Sequence, residues 1–166
     1  MASRVRTAEE IIAILRESPG RIAAVTEGVA AAQLHAAPEP GAWSVNDVLA
    51  HLRACHDVWG GNILRILAED RPGWKAMNPR TWMKRTDYPE WEFQPALEAF
   101  AKQRADLLAV LEPLPPEGWE RLALVTGMLG ETYERSARYY ADGLADHERQ
   151  HVKNLERIIP AVQGKT

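Results

Sequence analysis

The sequence is poor in the features that would assign it to most specialised protein classes. It holds a single cysteine, Cys55, which cannot close an internal disulfide and stands in an apolar stretch rather than in a CxxC pattern; a reducing compartment is expected. No apolar run approaches the ~20 residues that span a bilayer. The opening segment MASRVRTAEEIIAILRESPG lacks the unbroken apolar core and small-residue cleavage site of a signal peptide. A cytoplasmic protein with no membrane partner is therefore expected. Neither sign of charge dominates: the net charge is -3 and the pI about 6.0, so there is no extended positive field and nucleic acid is not an expected partner. Internal repeats, low-complexity tracts and convincing strand patterns are also missing.

What is present is amphipathic helix. The 166 residues are expected to form one domain over 1–166, and a chain of that length buries enough apolar surface to fold without help from a disulfide or a metal. Thr7 followed by Glu10 is a capping-box pattern, and Ile11, Leu15, Ile22, Val25 and Val29 then recur at helical spacings. Ser18-Pro19-Gly20 predicts a break or kink, with Ser18 recapping the second piece, so the first helix is expected over about 8 to 34 in two pieces. Trp43-Ser44-Val45-Asn46-Asp47-Val48 announces a second helix: Ser44 caps, Asp47 stands at the third position and Trp43 can staple onto Val48. It should run to about Glu69 with Val48, Leu52, Cys55, Trp59, Ile63 and Ile66 on one stripe.

Residues 70–92 carry Pro72, Pro79 and Pro89 with Trp74, Trp82 and Trp91, and read as a long connection that could act as a lid or an interface. A third helix follows Pro95, with Leu97, Phe100, Leu107, Leu108 and Leu111 inward, and is stopped by Pro113, Pro115 and Pro116. Trp119 to Glu131 reads as irregular. A last helix is expected from about Thr132 to Ile159, ended by Pro160. The fold class is thus all-α, a four-helix bundle with long connections.

In the last helix Asp146-His147-Glu148-Arg149-Gln150-His151 sets two imidazoles four residues apart on one face, where both can reach one metal ion. Leu144, His147, His151 and Leu155 form one stripe, so the histidines interrupt the apolar face and point into the bundle. A lone HxxxH is more readily a satisfied core histidine beside a boundary residue than a metal site. The second helix offers a third donor. His51 lies on or beside its buried stripe, His56 competes with it, and about 140° of helix rotation separates the two, so spacing alone leaves the choice open.

The segment from Trp43 to Leu52 resembles the start of the second helix in the DinB/YfiT-like superfamily, where a Trp-Ser helix start leads to a metal-ligating histidine. The Asp146 to His151 segment is similar to the same family's final-helix HxxxH. The resemblance covers nearly the whole chain. It implies a DinB-like four-helix bundle, usually a homodimer, with His51, His147 and His151 as ligands to zinc, nickel or another divalent ion. It also implies, as the leading function, a metal-dependent S-transferase that directs a low-molecular-weight thiol, of the bacillithiol or mycothiol type, at a small electrophilic substrate. A metal-dependent hydrolase acting through bound hydroxide is the second reading, and a non-catalytic stress-response metal-binding bundle the third. Three imidazoles leave an ion its full charge and open positions, which is a catalytic type of ligand set.

The same residues also spell H-E-x-x-H, the zincin protease pattern with Glu148 as base. Against it, only 15 residues follow His151, Asn154 stands where the metzincin glycine would be, and no sheet is expected for a peptide to pair along. Glu148 then reads as a surface charge or a group supporting the ligands. Asp47 could orient His51, although capping already explains it. Cys55 could be a soft ligand or reactive thiol, although a buried filler explains it better. Arg104, Tyr139 and Tyr140 are candidates for the site mouth, although a solvated or salt-bridged helix residue explains Arg104 slightly better.

Overall fold

Helix caps stand where the residue types put them. In the computed structural model, which describes residues 4–164, helix α1 covers Ala8–Thr26 and opens on a capping box: Glu10 N donates to Thr7 Oγ1 at 3.2 Å and Thr7 N to Glu10 Oε2 at 2.8 Å. Pro19 does not interrupt it, and Ser18 is not a cap. The Ser18 hydroxyl is buried and donates to the Ile14 carbonyl at 3.0 Å. The apolar face formed by Ile11, Leu15 and Ile22 is fully buried on both sides of the proline, and that burial outweighs one missing backbone bond. The first helix is still divided, but later: the chain turns at Gly28, whose φ of 74° suits a residue without Cβ, and resumes as α2, Ala31–Leu34.

Helix α3, Val45–Cys55, starts on the Ser44–Asp47 capping box, both bonds at 3.0 Å. One turn of π-helix, His56–Gly60, joins it to α4, Gly61–Ala68. Wider turns of this kind rotate all that follows relative to a regular helix and recur at functional sites. Helix α6, Phe93–Leu111, begins two residues before Pro95, which sits in its first turn, where a proline loses no intrahelical bond. Helix α8, Ala137–Gln163, runs through Pro160 because Ile158, Ile159 and Val162 continue its buried stripe.

Helices α1, α3–α4, α6 and α8 pack as a four-helix bundle. One end of the core gathers Ile22, Leu49, Leu52, Phe100 and Leu155, the other Ile11, Leu15, Ile63, Leu111 and Leu144. The connections are more ordered than the sequence suggests. Residues 70–92 contain strand β1, Gly73–Lys75, the short helix α5, Pro79–Met83, and a 3-10 turn at Tyr88–Glu90. After a further short helix, α7 at Pro116–Trp119, come β2, Leu122–Thr126, and β3, Thr132–Ser136.

The sheet order is β1-β2-β3. β1 runs parallel to β2 with Gly73 opposite Leu124, and β2 runs antiparallel to β3 with Leu122 opposite Ser136. Residues 132–136, expected as the first turn of the last helix, are therefore strand, and α8 starts at Ala137 on a Ser136 cap whose hydroxyl accepts from Tyr139 N. The strands escape pattern reading because they are only three to five residues long, and β3 turns most of its surface to solvent. Among the described residues no helix is long and apolar enough to cross a membrane.

Candidate metal centre

Helix α3 carries His51 into the bundle at 4% exposure, and α8 carries the half-buried His147 and His151 on successive turns. Their Nε2 atoms converge. His51 Nε2 lies 3.2 Å from His147 Nε2, His151 Nε2 lies 3.1 Å from His147 Nε2, and the three donor atoms all fall within 4.8 Å of one another. Two imidazole nitrogens bound to one tetrahedral ion at ~2.0–2.1 Å stand about 3.3–3.4 Å apart, so this spacing matches a shared divalent cation. Without a cation or a proton between them, nitrogen lone pairs this close repel.

The ring environment keeps those lone pairs free. Burial, followed by the fields of His147, His151 and Arg80, pushes His51 down to about 3. Burial, followed by His147 and Arg80, pushes His151 down to about 4. Burial first and Arg80 second also hold His147 below its ordinary value, against the opposing field of Asp146. All three are neutral at pH 7, the form that binds a metal. The Nδ1 atoms of His147 and His151 are buried with no protein partner among the described residues, so no second hydrogen bond from the protein fixes their tautomer.

Of the other residues singled out in the sequence, Asp47 caps α3 one turn from His51. Cys55 is fully buried, 3.5 Å from His51 Nε2 but outside the group of mutually close donors, and burial pushes its thiol up, away from a reactive thiolate. His56 lies on the π-turn against Gly60, not with the triad. Glu148 is not a surface charge: it is 0% exposed and accepts from Arg104, itself 1% exposed, in a buried ion pair between α8 and α6. That pairing also takes Arg104 away from the site mouth. Because a small sheet does exist, one objection to a zincin reading falls, but the engagement of Glu148 with Arg104 replaces it.

Two tryptophans that the sequence presents only as a staple and a stripe residue flank the triad. The Trp43 ring is 4.9 Å from His51, and Trp59, which lies within the π-turn, meets His147 edge-on at 5.2 Å. Arg80, whose field reaches all three histidines, lies 4.8 Å over Trp43 on α5. Nothing in the sequence marks it, since it comes from a connection rather than from a periodic helix. Trp82 and Trp91 instead pin the 70–92 connection down. Trp82 Nε1 donates to Asp57, which also accepts from Tyr88 Oη and Gln103 Nε2, and the buried Arg53 guanidinium stacks on Tyr88 and Trp91.

His147 opens onto a cavity of about 700 Å³. Trp59, Ala76, Met77, Val125 and Tyr140 give it an apolar wall, while Asn62, Arg135, Tyr139 and Gln150 add polar groups. A volume of this size takes a small organic molecule.

Comparison with known proteins agrees with this fold. Residues 14–155 match the sequence model of the DinB superfamily. A protein of Geobacillus thermodenitrificans named "putative metal-dependent hydrolase" is 28% identical over 127 residues, covering 75% of this chain and 70% of its own length. The structure of YfiT from Bacillus subtilis, described as a probable metal-dependent hydrolase with an unusual four-helix bundle topology, superposes with a TM-score of 0.78 at 17% identity, covering 95% of this chain and 91% of that one. At that identity the superposition speaks for the fold alone.

Proposed function

The chain belongs to the DinB superfamily, and on that premise we propose that it is a divalent-metal-dependent enzyme whose ion is held by His51, His147 and His151 and whose substrate is a small electrophile entering by the adjoining cavity. The convergence of three neutral imidazoles, with His147 Nε2 3.2 Å from that of His51 and 3.1 Å from that of His151, carries the reading. A divalent ion bound there, zinc or nickel as the family resemblance implies, would supply Lewis acidity that lowers the pKa of a coordinated water or thiol. The residues of the chain supply the rest. Trp43 and Trp59 wall the triad, restrict the ring orientations and exclude water, and the cavity positions the electrophile beside His147.

The nucleophile we favour is a low-molecular-weight thiol, making the protein an S-transferase. The carboxylates near the triad all accept hydrogen bonds: Asp142 and Asp146 from Arg6 at 2.8 and 2.7 Å, Asp146 also from Gln150, Asp47 from the Ser44 backbone, and Glu148 from Arg104 through Oε1, its Oε2 being buried with no partner among the described residues. What favours sulfur is its acidity: a thiol is several pKa units more acidic than water and gives its proton to bulk solvent near neutral pH more readily, so it needs a general base less than water does. The name of the Geobacillus relative favours hydrolysis instead, and this is the second reading.

Metal-loaded protein incubated with a chromogenic electrophile and, separately, with an activated ester tests both. Conjugation that needs both the ion and an added thiol is the expected result. Ester loss that needs the ion but no thiol would shift the assignment to a hydrolase. Silence on both, with the ion stoichiometrically bound, would leave a metal-binding bundle without catalysis.

A further inference from the structure

One charged group in the cavity has no role in the function proposed above. Among the acidic and basic side chains lining it, Asp142 and Asp146 both pair with Arg6, whose single charge offsets one of the two, and Arg138 pairs with Glu120 at 2.6 Å. Arg135, half-buried at the end of β3, has no carboxylate partner among the described residues and donates only to the Glu134 carbonyl at 3.2 Å. Its guanidinium lies 4.5 Å from the ring centroids of both Tyr133 and Tyr139. Two aromatic faces hold such a group in place and leave its N–H edges available, and a planar guanidinium presents paired donors matched to a carboxylate or phosphate.

The position of this cation sets a length. Tyr139 and His147 both line the cavity and are eight residues apart on α8, which is about 12 Å of helix rise. Trp59, Ala76, Met77 and Val125 supply apolar wall to the same cavity. We infer that the cavity binds an elongated molecule, substrate or co-substrate, that carries an anionic oxygen group, carboxylate or phosphate, on the order of 10 Å from its reacting atom, and that Arg135 is the specificity-determining residue for that group. The inference rests on the proposed reading of the triad as a metal site. It deepens that reading by naming the chemical class of the ligand: reactive at one end, apolar in the middle, anionic at the other.

Three alkyl hydroxamates of matched length test it, one ending in a methyl group, one in a carboxylate and one in a phosphonate. The hydroxamate end chelates a divalent ion, so titration calorimetry on zinc-loaded protein reads tail recognition directly and independently of activity. An anionic tail is expected to tighten binding by about 10-fold or more, as a charge-assisted hydrogen-bond pair does. Arg135→Gln should bring the three probes to within about a factor of two of one another, and Arg135→Lys should keep part of the preference. Equal binding of all three to the parent protein would overturn the inference while leaving the metal site standing. A preference that survives Arg135→Gln but disappears in Arg80→Gln would overturn it too, moving the anion site to Arg80. If none of the probes binds although zinc is present, the triad does not open into the cavity, and the underlying site reading fails together with the inference.

Discussion

Removing Glu148 should unfold the protein more easily without releasing its metal. Arg104 and Glu148 are 1% and 0% exposed, and burial pushes the Arg104 guanidinium below its ordinary value, although an arginine keeps its charge at neutral pH. Arg104 Nε and Nη1 have no hydrogen-bond partner among the described residues, so Glu148 is the guanidinium's only counter-charge. Glu148→Ala would strand a buried cation, a change that costs about 3–5 kcal/mol. At about 2–4 °C per kcal/mol for a chain of this size, the melting temperature should fall by roughly 6–20 °C. Urea denaturation followed by helical circular dichroism measures the loss, and elemental analysis of the same sample checks the ion. The double variant Arg104→Leu/Glu148→Leu removes both charges and should recover most of the stability. A Glu148→Ala protein as stable as the parent, or one that keeps its fold and metal but loses a peptidase activity, would refute the account of Glu148 as a buried structural counter-ion and restore it as a catalytic base.

Three further outcomes follow from the same geometry. In the metal-free protein, burial holds His51 at about 3 and both His56 and His151 at about 4, well below the ~6.5 of an unfolded chain. The unfolded state therefore takes up protons first, so stability is full above pH ~6.5 and lost on acidification toward pH ~4, by about 2 kcal/mol for each of these histidines at pH 5; a urea midpoint that does not change between pH 7 and pH 5 would contradict this. Saturating zinc should raise the melting temperature by binding the folded state alone, with a gain of about 2.7 kcal/mol at a hundredfold excess over the dissociation constant, and no shift on adding zinc would count against the triad. Ser44→Ala removes the hydroxyl that accepts from Asp47 N at the start of the helix bearing His51; a loss of about 1 kcal/mol is expected in denaturant titrations, and no loss would mean that Asp47 sustains the cap alone.

The parts of the molecule legible from sequence were those where several residues repeat one physical requirement. The stripes Ile11–Leu15–Ile22 and Leu97–Phe100–Leu107–Leu111 gave the helices, and Ser44 with Asp47 fixed where α3 begins and so which way His51 points. The choice of His51 over His56 came from the family resemblance, not from spacing, and the geometry sets His51 beside His147 while His56 faces Gly60. Single breakers misled. Pro19 and Pro160 both lie inside helices whose buried faces continue across them, and the division of the first helix falls instead at Gly28, where the backbone needs a positive φ.

The sheet was missed because its alternation is confined to Leu122–Thr126 and one partner, β1, is three residues long; pairing between segments about fifty residues apart leaves no local period. The same limit hid Arg80, Trp43 and Trp59 as neighbours of the triad. Arg80 arrives on a connection, and Trp59, already on the inward stripe of its own helix, meets His147 across a contact between helices that a single-helix pattern does not state. Arg104 is salt-bridged, as one of its two sequence readings has it, but its burial with Glu148, which reads as a surface charge or a group supporting the ligands, arises from the contact between two helices and is not visible on either helix alone.

The central claim is that three imidazoles from two helices share one divalent ion. Elemental analysis of protein purified without added metal tests it most directly, with His51→Ala, His147→Ala, His151→Ala and His56→Ala in parallel. The parent and His56→Ala proteins should each carry one ion per chain, while each of the three triad variants, although folded, should lose it, with affinity falling by more than about 100-fold. Stoichiometric metal in any triad variant, or its loss only in His56→Ala, would contradict the claim.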